Sequence, residues 1–251
     1  MSRWTMPGID ERTVIVTGAA SGIGAATASA LSEAGSRLLL VDRDADGLER
    51  TAAGLDADRV ATLAVDLADR DAARQIVDAA LAAFGEITTV LHIAGAFMPA
   101  YIPDATPEQL EVQLQVNVAA PFWLTRAVLP HLSPGGQIVF CGSTSSFVGS
   151  AGGVVYCATK GAVLMLMRAV AVELAPQGFR VNAIAPGTTR TPINDEIFAI
   201  PGHLDGVIRS IPDGRIAEAH EHVGAIVYLI SDLAAHVHGH TIVIDGGLIA
   251  K

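Results

Sequence analysis

The chain has few of the residues on which several classes of protein depend. Its two cysteines are too few for the disulfide framework of a small secreted domain. The 16 Lys and Arg residues face 26 Asp and Glu, and the net charge of −10 disfavours nucleic acid and anionic membranes as partners. No run reaches the roughly 18 consecutive apolar residues of a membrane span, and residues 1–12 lack the apolar region of a signal peptide. We therefore expect a cytoplasmic protein that binds neither nucleic acid nor membranes.

Charged residues are also scarce, at 17%, whereas hydrophobic residues make up 51% of the 251 positions. This balance supports a sizeable buried core and is not that of a disordered chain. The length alone allows one large α/β domain or two small ones. Because no linker rich in Ser, Gly or Pro and no repeat divides the sequence, we expect one domain over residues 1–251.

Short β-branched or Leu-rich runs alternate with longer Ala-rich segments of helical spacing. The predicted strands are Thr13–Thr17, Arg37–Val41, Val60–Val65, Thr89–Ile93, Gln137–Cys141, Arg180–Ile184 and Thr241–Ile244. The predicted helices include Gly24–Ala34, Arg70–Phe84, Gln109–Leu132, Val154–Leu174 and Glu218–Leu233. Continuously apolar strands are buried on both faces, and the alternation implies parallel pairing through right-handed crossovers. The prediction is an α/β, Rossmann-type, doubly wound parallel sheet of about seven strands with helices on both faces.

The least regular stretch is Pro186–Arg215, in which prolines and glycines interrupt short apolar groups. It follows the sixth predicted strand. A long irregular segment inside a compact domain is usually a lid or a binding loop. We therefore predict a substrate lid at residues 186–215.

A glycine-rich turn directly follows the first predicted strand and opens a helix. Its sequence, Thr17-Gly-Ala-Ala-Ser-Gly-Ile-Gly24, has the spacing Gly-x3-Gly-x-Gly and lacks the Gly-Lys-Ser/Thr ending of a nucleoside-triphosphate loop. Glycines let the chain turn tightly and bring backbone N–H groups close to a pyrophosphate at a helix N-terminus. Such turns also occur for packing alone, but the position in the first βαβ unit favours dinucleotide binding.

A carboxylate follows the second predicted strand, where a dinucleotide would place its adenosine ribose. Asp42 can accept hydrogen bonds from both ribose hydroxyls and repels a 2′-phosphate, which favours NAD over NADP. The guanidinium of Arg43 acts in the opposite direction because it can hold that phosphate. The two residues can also simply begin a polar turn. Asp66, after the third strand, either contacts the adenine or caps a helix.

Tyr156 and Lys160 are four residues apart in a predicted helix and therefore share one face. A free tyrosine has a pKa of about 10, and a nearby ammonium lowers that pKa by favouring the phenolate. Apart from Lys251, Lys160 is the only lysine in a chain that otherwise uses arginine. This usage indicates a specific need for an ammonium at position 160. A surface Tyr/Lys pair is the competing explanation.

Taken together, these motifs resemble the short-chain dehydrogenase/reductase family. The resemblance rests on the glycine turn, Asp42, Tyr156-Cys-Ala-Thr-Lys160 and Ser143, which lies 13 residues before Tyr156. It extends from about residue 10 to residue 250, and the order and spacing of the motifs are specific although each is short. Further matches are Asn117 in Val116-Asn-Val-Ala-Ala, the segment 180–187 with Thr191, and Ile244-Asp-Gly-Gly247.

The resemblance implies hydride transfer between a nicotinamide and an alcohol or ketone. Tyr156 would exchange a proton with the substrate oxygen, and Ser143 would hydrogen-bond that oxygen. Lys160 would lower the pKa of Tyr156 and bind the nicotinamide ribose, while Asn117 would hold a water that links Lys160 to solvent. The candidate cofactor-binding residues are Gly18, Ser21, Gly22, Ile23, Gly24, Asp42, Arg43, Asp66, Leu67, Ala94, Gly95, Tyr156, Lys160, Pro186, Gly187, Thr188 and Thr191.

Some histidines and both cysteines are also candidates for chemistry. His92-Ile-Ala-Gly95 stands where the family often has Asn-Asn-Ala-Gly, which predicts weaker local contacts between strands. We expect His92 to be a hydrogen-bonded core residue rather than a second acid–base group. His236, His238 and His240 alternate as ligands on a strand would, but we expect a polar turn or a subunit contact there and no metal. Cys141 and Cys157 are expected to fill small gaps near the site.

The substrate should meet the cofactor at the carboxyl ends of the strands. The candidate pocket residues there are Phe97, Met98, Ser145, Phe147, Val148, Ile193 and Phe198. Because this set is apolar and few cations accompany it, it favours a neutral, largely apolar secondary alcohol or ketone, with NAD as cofactor.

Two alternative functions stay open, as does the oligomeric state. The first is an NADP-dependent 3-oxoacyl-carrier-protein reductase, and the second is a non-catalytic NAD(H)-sensing protein of the same fold. Members of the family are commonly homotetramers, and the Ala-rich segment Val154–Leu174 is compatible with the close helix contacts of such an assembly.

Overall fold

Seven parallel strands form the central sheet of the computed structural model, which describes residues 6–250. These strands are β1 (Thr13–Thr17), β2 (Arg37–Asp42), β3 (Val60–Ala64), β4 (Ile87–His92), β5 (Leu132–Cys141), β6 (Arg180–Pro186) and β9 (Thr241–Ile244). Their order in the sheet is β3-β2-β1-β4-β5-β6-β9, and every neighbouring pair is parallel. The chain reverses its direction of progress between β3 and β4, which creates the switch point at which such sheets bind ligands. The predicted doubly wound fold is confirmed.

Helices cover both faces of the sheet. They are α1 (Gly22–Glu33), α2 (Ala45–Ala52), α3 (Ala72–Phe84), α4 (Pro107–Leu114), α5 (Ala120–Val128), α6 (Val154–Leu174), α7 (Asp195–Phe198), α8 (His203–Ser210) and α9 (Val223–Ile230). The sheet is buried on both sides because its strands are apolar at successive positions. Ile15 lies in one core cluster with Phe140 on β5, whereas Val14 and Val16 lie in the other with Leu91 on β4.

Two predicted helices and one predicted strand differ from the structure. The helix predicted over Gln109–Leu132 is interrupted by a π-helical turn at Gln115–Ala119, and it ends before Leu132, where β5 begins. The strand predicted at Gln137 therefore starts earlier, and its pairing with β4 contains a register shift between Ile87 and Thr89. The helix predicted over Glu218–Leu233 is α-helical only in α9, with 3₁₀ turns on either side.

The segment predicted as an irregular lid contains regular structure. The two-residue strands β7 (Thr189–Arg190) and β8 (Ala217–Glu218) pair in parallel and join the beginning of the segment to the residues that follow it. Between them lie α7 and α8, separated by Gly202, whose φ of 76° lies in the left-handed region that glycine favours. Helices as short as α7 and α8 are not detected from hydrophobic periodicity, because they contain too few helical turns to show a pattern.

One described helical stretch, Val154–Gln177, is long and apolar enough to cross a membrane by length and composition alone. In this fold it packs against β6 and buries Val163, Met167 and Leu174 in the core. It also carries Lys160 in a buried position. One apolar face of this helix therefore covers the sheet.

Candidate active site

The glycine turn between β1 and α1 lies directly against the end of β4. Gly18 has a φ of 72°, and a Cβ built on it would lie 2.8 Å from the Cα of Ala94. The hydroxyl of Thr17 donates to the carbonyl of Leu91 (3.2 Å) and accepts from the amide of Ala94 (3.3 Å). A larger residue at position 18 cannot be accommodated, and Ala94 and Gly95 face the same cleft as the turn.

The N-terminus of α1 and the first residues of the lid meet at this turn. Ser21 is the N-cap residue of α1, and a Cβ built on Gly22 would lie 2.9 Å from the Cγ2 of Thr191. A twelve-residue helix that begins in a glycine turn presents free backbone N–H groups to an anion. The structure therefore brings Thr191 to the place where the sequence predicts a pyrophosphate.

Asp42 lies at the end of β2, beside the same turn. Its carboxylate accepts hydrogen bonds from the amides of Ala20 and Asp44, both at 3.1 Å. Arg43 and Asp66 line an adjacent open groove of about 890 Å³. Asp66 does not cap a helix, since its carboxylate accepts from the amide of Ala68 in a turn and α3 begins only at Ala72.

Tyr156 and Lys160 share the face of α6 that points toward the end of β5. Lys160 is buried, its Nζ lies 5.5 Å from the centre of the Tyr156 ring, and it donates to the carbonyl of Cys141 at 2.8 Å. Burial raises the pKa of Tyr156 above its ordinary value, while the Lys160 ammonium and a hydrogen bond with Ser143 act to lower it. The burial of the Lys160 side chain excludes a simple surface Tyr/Lys pair.

Ser143 is held in place by the short 3₁₀ turn that follows β5. Its hydroxyl accepts from the amide of Ser145 at 3.1 Å, and its own amide donates to the hydroxyl of Ser146 at 3.2 Å. The Ser146 hydroxyl in turn donates to the carbonyl of Lys160 at 2.8 Å. These bonds connect the end of β5 to α6, so that Ser143 and Tyr156 are positioned by one network.

Asn117 lies in the π-helical turn and is almost fully buried. Its side chain accepts from the amide of Ala96 (2.8 Å) and donates to the carbonyl of Ala96 (2.9 Å) and to the hydroxyl of Thr159 (3.0 Å). Isolated π-helical turns are frequent at functional sites. Asn117 thus connects the loop after β4 to α6, while the water that would join Lys160 to solvent stays a prediction.

Sequence reasoning did not single out three of the residues that organise this site. Thr17, Ser146 and Thr159 each hold a neighbouring segment through a hydroxyl. The available signals were local: Thr159 directly precedes Lys160, and the run of hydroxyl residues from Ser143 to Ser146 is typical of a capping turn. Their partners lie far away in sequence and were not visible from the chain alone.

The candidate substrate side of the site is apolar. The ring of Phe97 lies 4.9 Å from that of Tyr156, and the carbonyl of Met98 accepts from the side chain of Gln113. Phe147, Val148 and Ile193 are large apolar side chains that are exposed. Phe198, on α7, is partly buried.

Two further histidines, His92 and His238, have structural partners. His92 is buried, contacts the Thr125 hydroxyl through Nε2 at 3.0 Å and packs on Phe140, and burial lowers its pKa to about 3. The prediction of a hydrogen-bonded core histidine is confirmed. His238 lies in an irregular segment before β9 rather than on a strand. It accepts from the amide of Val181 through Nδ1, and its Nε2 contacts the carbonyl of Ala171.

Comparison with known proteins identifies the family to which the chain belongs. A family model described as enoyl-(acyl carrier protein) reductase, of the short-chain alcohol dehydrogenase type, matches residues 18–249. The chain belongs to the short-chain dehydrogenase/reductase family. The resemblance inferred from the motifs is therefore confirmed, and the family is one of oxidoreductases.

Relatives and solved structures match over nearly the whole chain. The D-threitol dehydrogenase of Mycolicibacterium smegmatis is 36% identical, covering 97% of this chain and 95% of its own. The L-xylulose reductase of Bos taurus is 35% identical, covering 95% and 97%. A glucose/ribitol dehydrogenase structure from Brucella melitensis superposes with a TM-score of 0.91 at 32% identity, covering 97% and 99%. A 3-ketoacyl-(acyl-carrier-protein) reductase from the same organism, complexed with NADH, has a TM-score of 0.88 at 29% identity, covering 96% and 99%.

Proposed function

We propose that this chain transfers a hydride between NAD(H) and a neutral, largely apolar secondary alcohol or ketone. The observation that carries the proposal is the burial of Lys160 beside the Tyr156 ring, with Ser143 held by the same network. This set performs proton transfer to and from an oxygen atom. A protein that only senses the dinucleotide has no need of it, which disfavours the non-catalytic alternative.

The residues around the glycine turn fit a dinucleotide. Gly18 and Gly22 both have positive φ, and at each position a Cβ would collide with a neighbouring residue, so this tight turn requires glycine. The NADH-bound relative and the family membership support a nicotinamide cofactor, which when bound supplies the hydride or accepts it. Asp42 at the end of β2 favours NAD, because its carboxylate repels a 2′-phosphate.

In the direction of reduction, the Tyr156 hydroxyl gives its proton to the carbonyl oxygen of the substrate. The Ser143 hydroxyl donates a hydrogen bond to the same oxygen, where negative charge develops. Lys160 stabilises the phenolate that remains on Tyr156, because a buried ammonium nearby favours the charged form of the phenol. Oxidation of an alcohol uses the same residues in reverse.

The charges of the lid support a neutral substrate. Asp195, Glu196 and Asp205 belong to the helices of the lid, and Arg190 is paired with Glu218 at 3.2 Å. On these two helices three carboxylates stand against the one guanidinium of Arg209, so an anionic substrate would meet net negative charge. The names of two relatives point to polyols and sugars, whereas Phe97, Phe147 and Ile193 favour a less polar molecule. Both groups are neutral secondary alcohols or ketones.

A second candidate function is an NADP-dependent 3-oxoacyl-carrier-protein reductase. The family description and the 3-ketoacyl reductase structure both name acyl-carrier-protein substrates, although that structure holds NADH. Arg43 beside Asp42 could hold a 2′-phosphate. The net charge of −10 disfavours it, because an acidic carrier protein requires a basic docking surface.

We also infer a homotetramer in the cytoplasm, with no nucleic acid or membrane partner. The helices α4, α5 and α6 carry exposed apolar side chains, among them Leu110, Phe122, Trp123, Met165 and Val172. Several large apolar side chains exposed on helices in this way are typical of subunit contacts. A reducing compartment suits Cys141 and Cys157, both of which are free.

The test is formation of NADH by the purified protein with NAD and a panel of secondary alcohols. The panel contains polyols, alicyclic alcohols, aryl alcohols and a 3-hydroxyacyl thioester, each also assayed with NADP. We expect turnover with NAD on neutral alcohols. Turnover confined to the thioester with NADP would instead establish the second candidate.

A further inference from the structure

A buried hydrogen-bond network holds the first residues of the lid. Thr189, the first residue of β7, is 3% exposed, and its hydroxyl donates to the carbonyl of Gly187 at 2.9 Å. The same hydroxyl lies 2.9 Å from Nε2 of His222, the N-cap residue of α9. The carbonyl of Thr189 accepts from the side chain of Asn194 at 2.9 Å. Thr189 thus joins its own loop, from Gly187 to Asn194, to His222, which lies 33 residues away in sequence.

The network assigns the protonation state of His222. A threonine hydroxyl has a single proton, and because the Thr189 proton goes to Gly187, Nε2 of His222 must be the donor. Nδ1 of a neutral imidazole is then an acceptor, and it is buried without a hydrogen-bond partner among residues 6–250. Burial lowers the pKa of His222 to about 4, with Glu221 acting to raise it and His220 to lower it. The ring is neutral near pH 7.

A buried nitrogen without a partner destabilises the fold, and an apolar side chain in its place would avoid that cost. What the imidazole adds is a directed donor to Thr189. The backbone on either side of Thr189 leads to the cofactor cleft: Gly187 donates to Ile244 on β9 at 2.8 Å, and Thr191 lies against Gly22. The carbonyl of Thr188 accepts from Ala217 at 3.0 Å.

We propose that His222 is a positioning residue for the cofactor: by donating to Thr189 it fixes residues 187–191 against the glycine turn. The inference rests on the proposed function in one respect, namely that this segment binds the nicotinamide dinucleotide. The proposal gives the N-terminus of α9 an effect on cofactor affinity. His222 itself does not reach the cleft, so this effect passes through Thr189. No group of His222 touches the reacting atoms.

Two measurements on five variants, with thermal unfolding as a control measurement, test the proposal. The variants are His222→Leu, Thr189→Val, their double mutant, His222→Gln, and His220→Leu as the matched control on an exposed neighbour. The first measurement is the Kd for NADH, by fluorescence titration. The second is hydrogen exchange of the amides of residues 187–217 in the free protein. Thermal unfolding of each variant separates these effects from a general loss of stability.

We expect His222→Leu and Thr189→Val each to raise the Kd about five- to tenfold, the effect of one lost hydrogen bond. Both should also speed exchange at residues 187–217. The double mutant should bind no more weakly than the weaker single mutant, because both remove the same bond. His222→Gln, whose amide can donate to Thr189, should restore most of the affinity, and His220→Leu should change nothing.

Unchanged exchange at residues 187–217 in His222→Leu would overturn the anchoring role. Faster exchange with an unchanged Kd, or additive effects in the double mutant, would overturn the positioning role. If the unaltered protein binds neither NADH nor NADPH, the proposed function fails, and the exchange data still decide whether His222 anchors the lid.

Discussion

At the scale of the residue, the site depends on the placing of single charges in a buried environment. Burial alone makes Tyr156 a weaker acid than free tyrosine, and Lys160 is the nearby cation that counteracts this shift. Arginine cannot replace it without change, since a guanidinium is larger and planar and cannot reproduce the single bond of Nζ to Cys141. The structure therefore explains why a chain that otherwise uses arginine has a lysine at position 160.

Lys160→Met should shift the pH dependence of alcohol oxidation. Without the ammonium the phenolate of Tyr156 is less stable, so the rise of kcat/KM with pH should move to higher pH. The pH–rate profiles of the two proteins measure this shift. Arg168→Met, on the exposed side of the same helix, is the control. Identical profiles for Lys160→Met and the unaltered protein would contradict the role of Lys160.

Asp42→Ala should relax the preference for NAD. Removing the carboxylate removes the repulsion of a 2′-phosphate and leaves Arg43 to attract it, so the ratio of kcat/KM for NADP to that for NAD should rise about tenfold or more. Arg43→Ala should lower the same ratio. A ratio that Asp42→Ala leaves unchanged would show that another residue selects the cofactor.

At the scale of the element, sequence periodicity predicted most of what the structure contains. The strands and α6 were predicted because continuous apolar runs and a long Ala-rich segment report burial directly. The break between α4 and α5 was not, because the π-helical turn depends on bonds from Asn117 to Ala96 and Thr159. The β7–β8 pair was also not predicted, because two-residue strands have no period and only the fold brings Thr189 next to Ala217.

Asn117→Leu should destabilise the fold as well as the site. It removes three hydrogen bonds and leaves the part-buried amide and carbonyl of Ala96 without their partners, which should lower the free energy of unfolding by about 2–4 kcal/mol. Urea unfolding measures the loss. Gln115→Leu, in the same turn but less buried, should cost under about 1 kcal/mol. Equal losses in the two variants would contradict a specific role for the Asn117 amide.

At the scale of the whole molecule, the two faces of the sheet each bury one histidine in neutral form. His92 lies at the end of β4, where the sequence predicted weaker contacts, and its bond to Thr125 ties β4 to the rest of the core instead. The catalytic set was predictable because its residues stand in local motifs. The hydrogen bonds that hold the surrounding segments were not, since Thr17, Ser146 and His222 bond to residues 14 to 77 positions away in sequence.

The stability of the molecule should fall steeply in mild acid. The native pKa values of His92 and His222 are about 3 and about 4, whereas an unfolded histidine titrates near 6.5. Below pH 6.5 the unfolded chain therefore binds two more protons, and the free energy of unfolding should fall by about 3 kcal/mol per pH unit from both. This contribution is retained above pH 6.5. His92→Gln should halve the slope in urea unfolding between pH 6.5 and 5, and His203→Gln, an exposed control, should not. Equal slopes for all three proteins would contradict the assignment.

The most direct test of the central claim is Tyr156→Phe, measured both for turnover and for NADH affinity. The account predicts a loss of kcat of about a hundredfold or more, because proton transfer to the substrate oxygen is removed, with a Kd for NADH within about twofold of the unaltered protein. Tyr228→Phe, on α9, is the matched control and should keep full turnover. Retained turnover in Tyr156→Phe would contradict the proposed mechanism.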